Sequence, residues 1–171
     1  MVQTALAAAL IAVCSWITVP LPAVPFTLQT FGIFCVLSLL GGKRGSIAVF
    51  LYLLLGAVGV PVFSGFSGGI GHLTGPTGGY LFGFLLSAFL YTVITHFFGT
   101  KKYIKLLAML VGLAACYICG TFWFSLLSES GLAGFFSAFS ACVLPFIIPD
   151  LVKISAALIL SERLLRIKYF R

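Results

Sequence analysis

Long apolar runs separated by short stretches of Pro, Gly and charged residues make up almost the whole chain. A membrane-spanning helix needs roughly 20 mostly apolar residues, whereas the strands of a membrane barrel are shorter and alternate in hydrophobicity. Because Pro and Gly interrupt helices, we place the helix ends at these residues and at the charged ones. The pattern predicts six transmembrane helices, at residues 2–19, 23–40, 45–60, 79–98, 103–127 and 137–160.

The composition also indicates a membrane protein. Of the 171 residues, 61% are hydrophobic and 8% are charged, and the mean hydropathy is +1.23. A soluble domain carries about 25% charged residues, so this chain has too few charges to cover a water-exposed surface. A water-soluble enzyme, a nucleic-acid-binding domain and a disordered tail are therefore excluded. Because the six runs use up most of the length, we expect a single domain over residues 1–171, an all-α integral membrane bundle of six transmembrane helices.

The basic residues indicate the orientation of this bundle. Nine of the ten follow the second, fourth or sixth predicted helix, and the alternate connections contain no Lys or Arg. Since cytoplasmic connections are rich in Lys and Arg, both termini are expected in the cytoplasm, and nucleic acid is not needed to explain the net charge of +7. The first run lacks the basic start of a signal peptide, so it is kept as a helix. The nine residues are Lys43, Arg44, Lys101, Lys102, Lys105, Arg163, Arg166, Lys168 and Arg171.

Two charged residues lie inside the sixth predicted helix. Asp150 and Lys153 are three residues apart and share one helix face. A charge at mid-membrane costs about 2.5–3.5 kcal/mol on insertion scales, so such residues face a partner or a wet cavity. Pro149 lacks a backbone donor, which predicts a helix broken at this point, as at many transporter sites. We interpret the pair as part of a polar ligand site; the alternative is a salt bridge that only fixes helix packing.

Residues 64–79 contain seven glycines and connect the third and fourth predicted helices. This density of glycine predicts a non-helical segment whose backbone can approach a ligand closely. The neighbouring Phe63, Phe66, Leu73 and Tyr80 favour burial, so we interpret the segment as a re-entrant cap over a cavity rather than as a flexible linker.

Polar residues also occur beside aromatic ones at the outer start of the second predicted helix. Thr27, Gln29 and Thr30 lie between Phe26 and Phe31. A few placed polar groups in an apolar wall are typical of a site for a ring compound. The alternative is that these are ordinary polar residues at the membrane interface.

Two further motifs are assigned no chemistry of their own. Cys116 and Cys119 have C-x-x-C spacing but lie in an apolar run without other metal ligands nearby, so we interpret them as buried thiols. Residues 65–68 (Gly-Phe-Ser-Gly) match the motif of intramembrane rhomboid proteases, which would make Ser67 a nucleophile. That chemistry needs a base; the sixth run has no histidine, and His72 is only five residues further on.

Taken together, these residues resemble the BioY family, the biotin-capturing S components of energy-coupling factor (ECF) transporters. The resemblance extends over nearly the whole chain, and its specific parts are residues 24–31, 52–63, 75–80 and 149–153. The block Gly-Pro-Thr-Gly-Gly-Tyr at residues 75–80 is long and unusual. The resemblance implies a six-helix bundle that holds biotin near its outer face, surrounded by the lipid of a bacterial cell membrane.

The resemblance also implies partners. S components dock onto the membrane subunit EcfT, which carries two cytoplasmic ATPases. This chain has no Gly-x-x-x-x-Gly-Lys-Ser/Thr loop, so ATP would be bound by the partners, and we expect neither a cofactor nor an enzymatic activity in the chain itself. Small residues four apart let a second helix approach closely, and from spacing alone this helix could belong to the chain or to another subunit. In S components the alanine-rich side of the first helix is the EcfT contact, here Ala5, Ala8, Ala9 and Ala12.

By the same resemblance, Asp150 and Lys153 match the polar pair that helps to hold biotin, and His72 is the candidate for a further polar contact. The ureido group of biotin offers two N–H donors and one acceptor, which suits a carboxylate and an amine, although which of the two meets it is left open. The alternatives are an S component for another vitamin such as thiamine or riboflavin, an intramembrane serine protease, and a channel-like or structural protein. The expected substrate-binding residues are Thr27, Gln29, His72, Tyr80, Asp150 and Lys153.

Overall fold

The computed structural model describes residues 1–20, 24–128 and 134–167. Residue 23, where the second helix was predicted to begin, and Lys168 and Arg171 lie outside these ranges. Within them, the chain forms α1 (Val2–Trp16), β1 (Thr18–Val19), β2 (Phe26–Thr27), α2 (Gln29–Ala57), α3 (Ile70–Thr74), α4 (Gly78–Phe98), α5 (Lys102–Leu127), α6 (Phe135–Cys142) and α7 (Leu144–Arg166).

Helices that can cross a membrane dominate this fold. In the described ranges, α2, α4, α5 and α7 are long and apolar enough to span a bilayer, and α1 is apolar but has 15 residues. Large apolar side chains such as Phe50, Phe89 and Ile118 are exposed on the outside of the bundle, where lipid would cover them. The predicted all-helical, multi-pass membrane protein is thereby confirmed.

The predicted second and third helices are the two arms of α2, which doubles back at Gly41. This residue has a φ of +78°, which glycine adopts without strain. A Cβ added to Gly45 would lie 2.9 Å from the Leu37 Cα. Eight residues of straight helix would separate these positions by about 12 Å. The two arms therefore pack side by side.

The first two helices are shorter than predicted, because local backbone preferences end them early. After α1, the β-branched Thr18 and Val19 adopt extended backbone and pair with Thr27 and Phe26 in a small antiparallel sheet. Pro25 disfavours helix in the residue before it. The second helix begins at Gln29, after β2.

The sixth predicted helix is broken, but not where we expected. The break lies at Val143, between α6 and α7, and the prediction of a break at Pro149 was wrong. Pro145 fits at the start of α7, where no intrahelical partner is needed for its nitrogen. Pro149 removes one backbone bond in the second turn, and membrane helices tolerate such a loss when neighbouring helices cover the freed carbonyl.

Glycines allow α4 and α5 to pack closely against each other. A Cβ added to Gly83 would lie 2.9 Å from the Cys116 Cα, and one added to Gly120 would lie 2.3 Å from the Tyr80 ring. Small residues at such contacts are the usual way in which membrane helices approach each other. This contact fixes where the Tyr80 side chain lies, and Tyr80 is one of the expected ligand residues.

Lys105 was expected in the basic connection before the fifth helix. It lies instead in the first turn of α5 and is 7% exposed, and its Nζ is 3.1 Å from Glu162 Oε1 on α7. A lysine in a helix end can bury its stem and keep a paired ammonium. This ion pair links α5 and α7 at the end of the bundle that carries the basic residues.

Candidate functional site

A cavity lies among the helices next to residues 64–79, and part of it is open to solvent. Phe63, Phe84 and Phe146 form part of its apolar wall. The six residues that the sequence suggested as substrate-binding all line this one cavity, and their contacts with a ligand stay a prediction. They are Thr27, Gln29, His72, Tyr80, Asp150 and Lys153.

Asp150 is the centre of a buried hydrogen-bond network. The residue is 4% exposed, and its Oδ1 accepts hydrogen bonds from Lys153 Nζ at 2.7 Å and from Thr30 Oγ1 at 3.0 Å. Its Oδ2 accepts one from Tyr117 Oη at 2.6 Å. The three donors belong to three different helices, α7, α2 and α5. Bonds of this kind compensate the cost of taking a carboxylate out of water.

Lys153 connects α7 to the small sheet. Its Nζ donates to the Thr27 backbone carbonyl at 2.7 Å as well as to Asp150, and it lies 3.8 Å from the centroid of the Phe26 ring. An aromatic face attracts a cation at this distance. The ion pair therefore stabilises the packing of β2 against α7 and also lines the cavity, so the two interpretations considered for it are compatible.

Gln29 and Thr27 form a second network at the start of α2. The Gln29 Nε2 donates to Tyr52 Oη at 2.5 Å, and the Thr27 hydroxyl donates to Gln29 Oε1 at 3.0 Å. Gln29 is 6% exposed, and its oxygen and its nitrogen each have a protein partner. This network holds the backbone that carries the Lys153 contact.

The Tyr80 hydroxyl is buried and has no hydrogen-bond partner among the described residues. Tyr80 lies at the start of α4, and its ring is packed over Gly120 of α5. Buried polar groups are almost always paired. The side chains of Thr121 and Cys142 lie beside this hydroxyl, and because Tyr80 lines the cavity, it is also a candidate partner for a ligand group.

The Gly-rich segment is attached to the helices around it. The Trp123 indole N–H of α5 donates to the Gly75 carbonyl at 3.0 Å. The Trp16 N–H of α1 donates at 2.9 Å to the carbonyl of Pro61, just before the segment, and its ring stacks on Phe66. Ser64, His72 and Thr77 line the cavity. These contacts favour a cap over a flexible linker.

Two expectations about this segment were wrong. It contains the short helix α3, because residues 70–74 form one helical turn between the glycines. Phe66 is 64% exposed, since it stacks on Trp16 at 5.0 Å outside the cap instead of turning inward. Phe63 and Tyr80 are buried as expected, Leu73 is half-buried, and the exposed His72 lies at the edge of the cavity.

The protease-like motif does not reach the cavity. The Ser67 hydroxyl donates to the Ser64 carbonyl at 2.7 Å, so its side-chain hydrogen bond goes to backbone and not to a base. Cys116 and Cys119 are free thiols; Cys116 is buried, as the sequence suggested, whereas Cys119 is half-buried. Tyr117, which lies between them, contacts Asp150 and was missed; the available signal was a tyrosine in the middle of an apolar run.

The four alanines of α1 straddle the edge of its buried side. Ala8 and Ala12 are 2% and 5% exposed and pack inside the chain, whereas Ala5 and Ala9 are exposed. In this conformation, a partner could contact only Ala5 and Ala9 of the four.

Fold and site together define a multi-pass helical membrane protein that encloses a partly polar cavity. The chain belongs to the BioY family, which matches residues 1–169. It is 42% identical over 160 residues to the probable biotin transporter BioY of Pyrococcus horikoshii, covering 94% of this chain and 92% of that one. It is 38% identical over 172 residues to the biotin transporter BioY of Thermotoga maritima, covering 100% and 98%.

A solved structure has the same fold. The crystal structure of the S-component for biotin from an ECF-type ABC transporter superposes with a TM-score of 0.85 and 28% identity. The similarity covers 99% of this chain and 94% of that one.

Proposed function

We propose that this chain is the biotin-binding S component of an ECF-type transporter and captures biotin from the outer side of the cell membrane. The observation that carries the proposal is the cavity that both the Asp150 network and Tyr80, with its unpaired hydroxyl, line. The family and the similarity to transporters and to an S-component for biotin support the choice of ligand. These relatives also support a transport function over the serine protease.

The chemistry of biotin suits this cavity. The ureido group can donate an N–H to the Asp150 carboxylate and accept from a hydroxyl such as that of Tyr80. The bicyclic ring and the aliphatic chain can pack against Phe63, Phe84 and Phe146. A site closed to water strengthens the hydrogen bonds of such a ligand to buried groups.

The proposed arrangement in the membrane is one domain of six helices with both termini in the cytoplasm. The six are α1, the two arms of α2, α4, α5, and the α6–α7 pair. The reversal at Gly41 supports the count, since it places Lys43 and Arg44 at a turn. The alternation of basic and non-basic connections supports the orientation.

Release of biotin to the cytoplasm is proposed to need EcfT and two ATPases. The sequence contains no loop of the kind that binds ATP phosphates, so the energy must enter through partners. The exposed side of α1 with Ala5 and Ala9 is the proposed contact with EcfT.

Titration of the purified protein with biotin tests the proposal. Asp150→Asn keeps the shape of the side chain but removes its charge and should weaken biotin binding at least about 10-fold, because a hydrogen bond to a charged group is lost. The matched control is Glu162→Gln, which neutralises a carboxylate of the other ion pair on the same helix and should leave the affinity unchanged.

The titration and a vitamin panel can each contradict the proposal. Unchanged affinity in folded Asp150→Asn would reject the site. A panel of vitamins in a thermal-shift assay separates the rivals: stabilisation by thiamine or riboflavin but not by biotin would indicate a different S component.

A further inference from the structure

The carboxylate of Asp150 has one acceptor position that no described residue uses. An ionised carboxylate offers about four such positions. Two on Oδ1 are taken by Lys153 and Thr30, and one on Oδ2 is taken by Tyr117. The remaining position belongs to Oδ2, the oxygen that Tyr117 contacts.

Lys153 uses two of its three N–H donors within the protein. An ammonium group has three N–H donors, of which one goes to Asp150 and one to the Thr27 carbonyl, both at 2.7 Å. The group also lies 3.8 Å from the centroid of the Phe26 ring, which attracts its positive charge. The pair thus leaves one donor on Lys153, beside the Phe26 ring, and one acceptor position on Asp150 Oδ2.

The Tyr117 hydroxyl is well suited to control this oxygen. Its distance of 2.6 Å to Asp150 Oδ2 is within the about 2.5–2.7 Å typical of a hydroxyl on an ionised carboxylate, and such bonds are roughly twice as strong as neutral ones. Since Tyr117 belongs to α5, it holds the carboxylate from a helix other than those that carry Lys153 and Thr30. Without this hydroxyl, Oδ2 loses the one described hydrogen bond that fixes its direction.

We propose that Tyr117 is a positioning residue that fixes the orientation of the Asp150 carboxylate and directs the unused acceptor position of Oδ2 toward an N–H of a cyclic urea. The ligand in this inference rests on the proposed function, because the ureido ring of biotin supplies that N–H. Thr30 donates to the other oxygen, Oδ1, which Lys153 also contacts. Loss of the Thr30 hydroxyl should therefore affect the orientation of the carboxylate less than loss of the Tyr117 hydroxyl.

Infrared spectroscopy of the ligand-free protein tests the effect on the carboxylate. The Asp150 band is identified by its loss in Asp150→Asn. Tyr117→Phe removes only the hydroxyl and should shift this band, because Oδ2 loses a hydrogen bond. Tyr91→Phe, which removes the hydroxyl of a buried tyrosine that does not line the cavity, should leave the band in place.

A second substitution keeps the test decisive if Tyr117→Phe does not fold. Replacement of Tyr117 by 3-fluorotyrosine keeps the ring and provides a stronger donor, which should shift the band in the opposite direction. A band that stays in place in folded Tyr117→Phe, or in the fluorotyrosine protein, overturns the proposal whatever ligand the protein binds.

Ligand binding tests the direction of the unused position. Tyr117→Phe should weaken biotin binding about 10-fold or more, in line with loss of support for a charged acceptor. An analogue methylated on both ureido nitrogens has no N–H to donate and should bind the wild-type protein more weakly than biotin does. Tyr117→Phe should change the affinity for this analogue little. The ratio of the two affinities should therefore be smaller in Tyr117→Phe than in the wild type. Equal losses for both ligands would indicate a merely structural role and reject the assignment.

The two measurements separate this inference from the proposed function. If the wild-type protein binds no biotin, the proposed function fails, and the infrared bands of the ligand-free protein still decide whether Tyr117 controls Asp150. If biotin binds and the bands do not respond, only the inference about Tyr117 fails.

Discussion

Buried hydroxyl groups show at the residue scale which parts of this bundle serve packing and which serve the cavity. Ser161 donates to Ser38 at 2.7 Å, and Ser87 donates to the Gly112 carbonyl at 2.5 Å, so these hydroxyls connect helices. In the part of the chain that the structure describes, three buried side-chain oxygens lack a partner: those of Ser15, Tyr80 and Thr121. Of these residues, Tyr80 lines the cavity. A residue whose polar group is left unpaired in the empty protein is expected to matter for the ligand more than for stability.

Substitution of two tyrosines by phenylalanine separates these effects. Tyr80→Phe should weaken biotin binding about 3- to 10-fold while leaving the thermal midpoint of the empty protein unchanged or raised, because the lost hydroxyl had no partner. Tyr52→Phe is the matched control. It leaves the buried Gln29 amide without its acceptor and should destabilise the protein by about 1–3 kcal/mol. A drop in the midpoint of Tyr80→Phe as large as that of Tyr52→Phe would contradict the interpretation.

The sequence revealed the site residues whose chemistry conflicts with their surroundings. Asp150 and Lys153 stood out because charges are costly inside an apolar helix. Tyr117 did not stand out, because a hydroxyl is tolerated in a membrane helix. The contact of Thr30 with Asp150 joins residues 120 positions apart, and no spacing rule predicts such a contact. The partners of a charge were therefore harder to predict than the charge itself.

At the scale of elements, the end of α1 is connected both to the cap and to the site. Trp16 donates to the Pro61 carbonyl and stacks on Phe66. The next residues form β1, which pairs with β2, and β2 carries the Thr27 carbonyl that accepts from Lys153. A movement of α1 would thus reach the cavity by two routes, which matters because α1 is the proposed contact with EcfT.

Loss of the Trp16 side chain should therefore speed the release of biotin. Trp16→Ala removes the stacking and the hydrogen bond to the cap and should raise the dissociation rate about 5- to 10-fold, since each contact contributes about 1 kcal/mol. Trp16→Phe keeps the stacking and should have a smaller effect. The rate is measured by chasing bound radiolabelled biotin with excess unlabelled ligand. Leu6→Ala, at an exposed position of the same helix, is the control; equal rates in wild type and Trp16→Ala would show that α1 does not hold the cap.

Helix breaks could be predicted only where the backbone itself requires them. The turn at Gly41 followed from consecutive glycines and charges, and its φ of +78° suits glycine. The break at Val143 has no comparable local signal, and Pro149 was assigned a break that tertiary packing prevents. Proline weakens a helix, but neighbouring helices decide whether the helix actually ends.

At the scale of the whole molecule, the proposed capture site and the basic residues lie at opposite ends. Two ion pairs mark the ends of α7, Asp150–Lys153 at the cavity and Lys105–Glu162 twelve residues further along. Twelve residues correspond to about 18 Å of helix, more than half of the hydrocarbon core of a bilayer. If the basic end lies in the cytoplasm, the cavity and its cap face the outside, which is the direction needed for capture.

This orientation predicts opposite labelling at the two ends of the molecule. A cysteine introduced at exposed Phe66 should react with a membrane-impermeant maleimide in intact cells, whereas one introduced at exposed Lys101 should react only after permeabilisation. The native thiols give little background, because Cys14, Cys35, Cys116 and Cys142 are buried and Cys119 is half-buried. The reverse labelling pattern would place the cavity toward the cytoplasm. The same fold would then have to receive its ligand from inside, and capture from the outer side would be impossible.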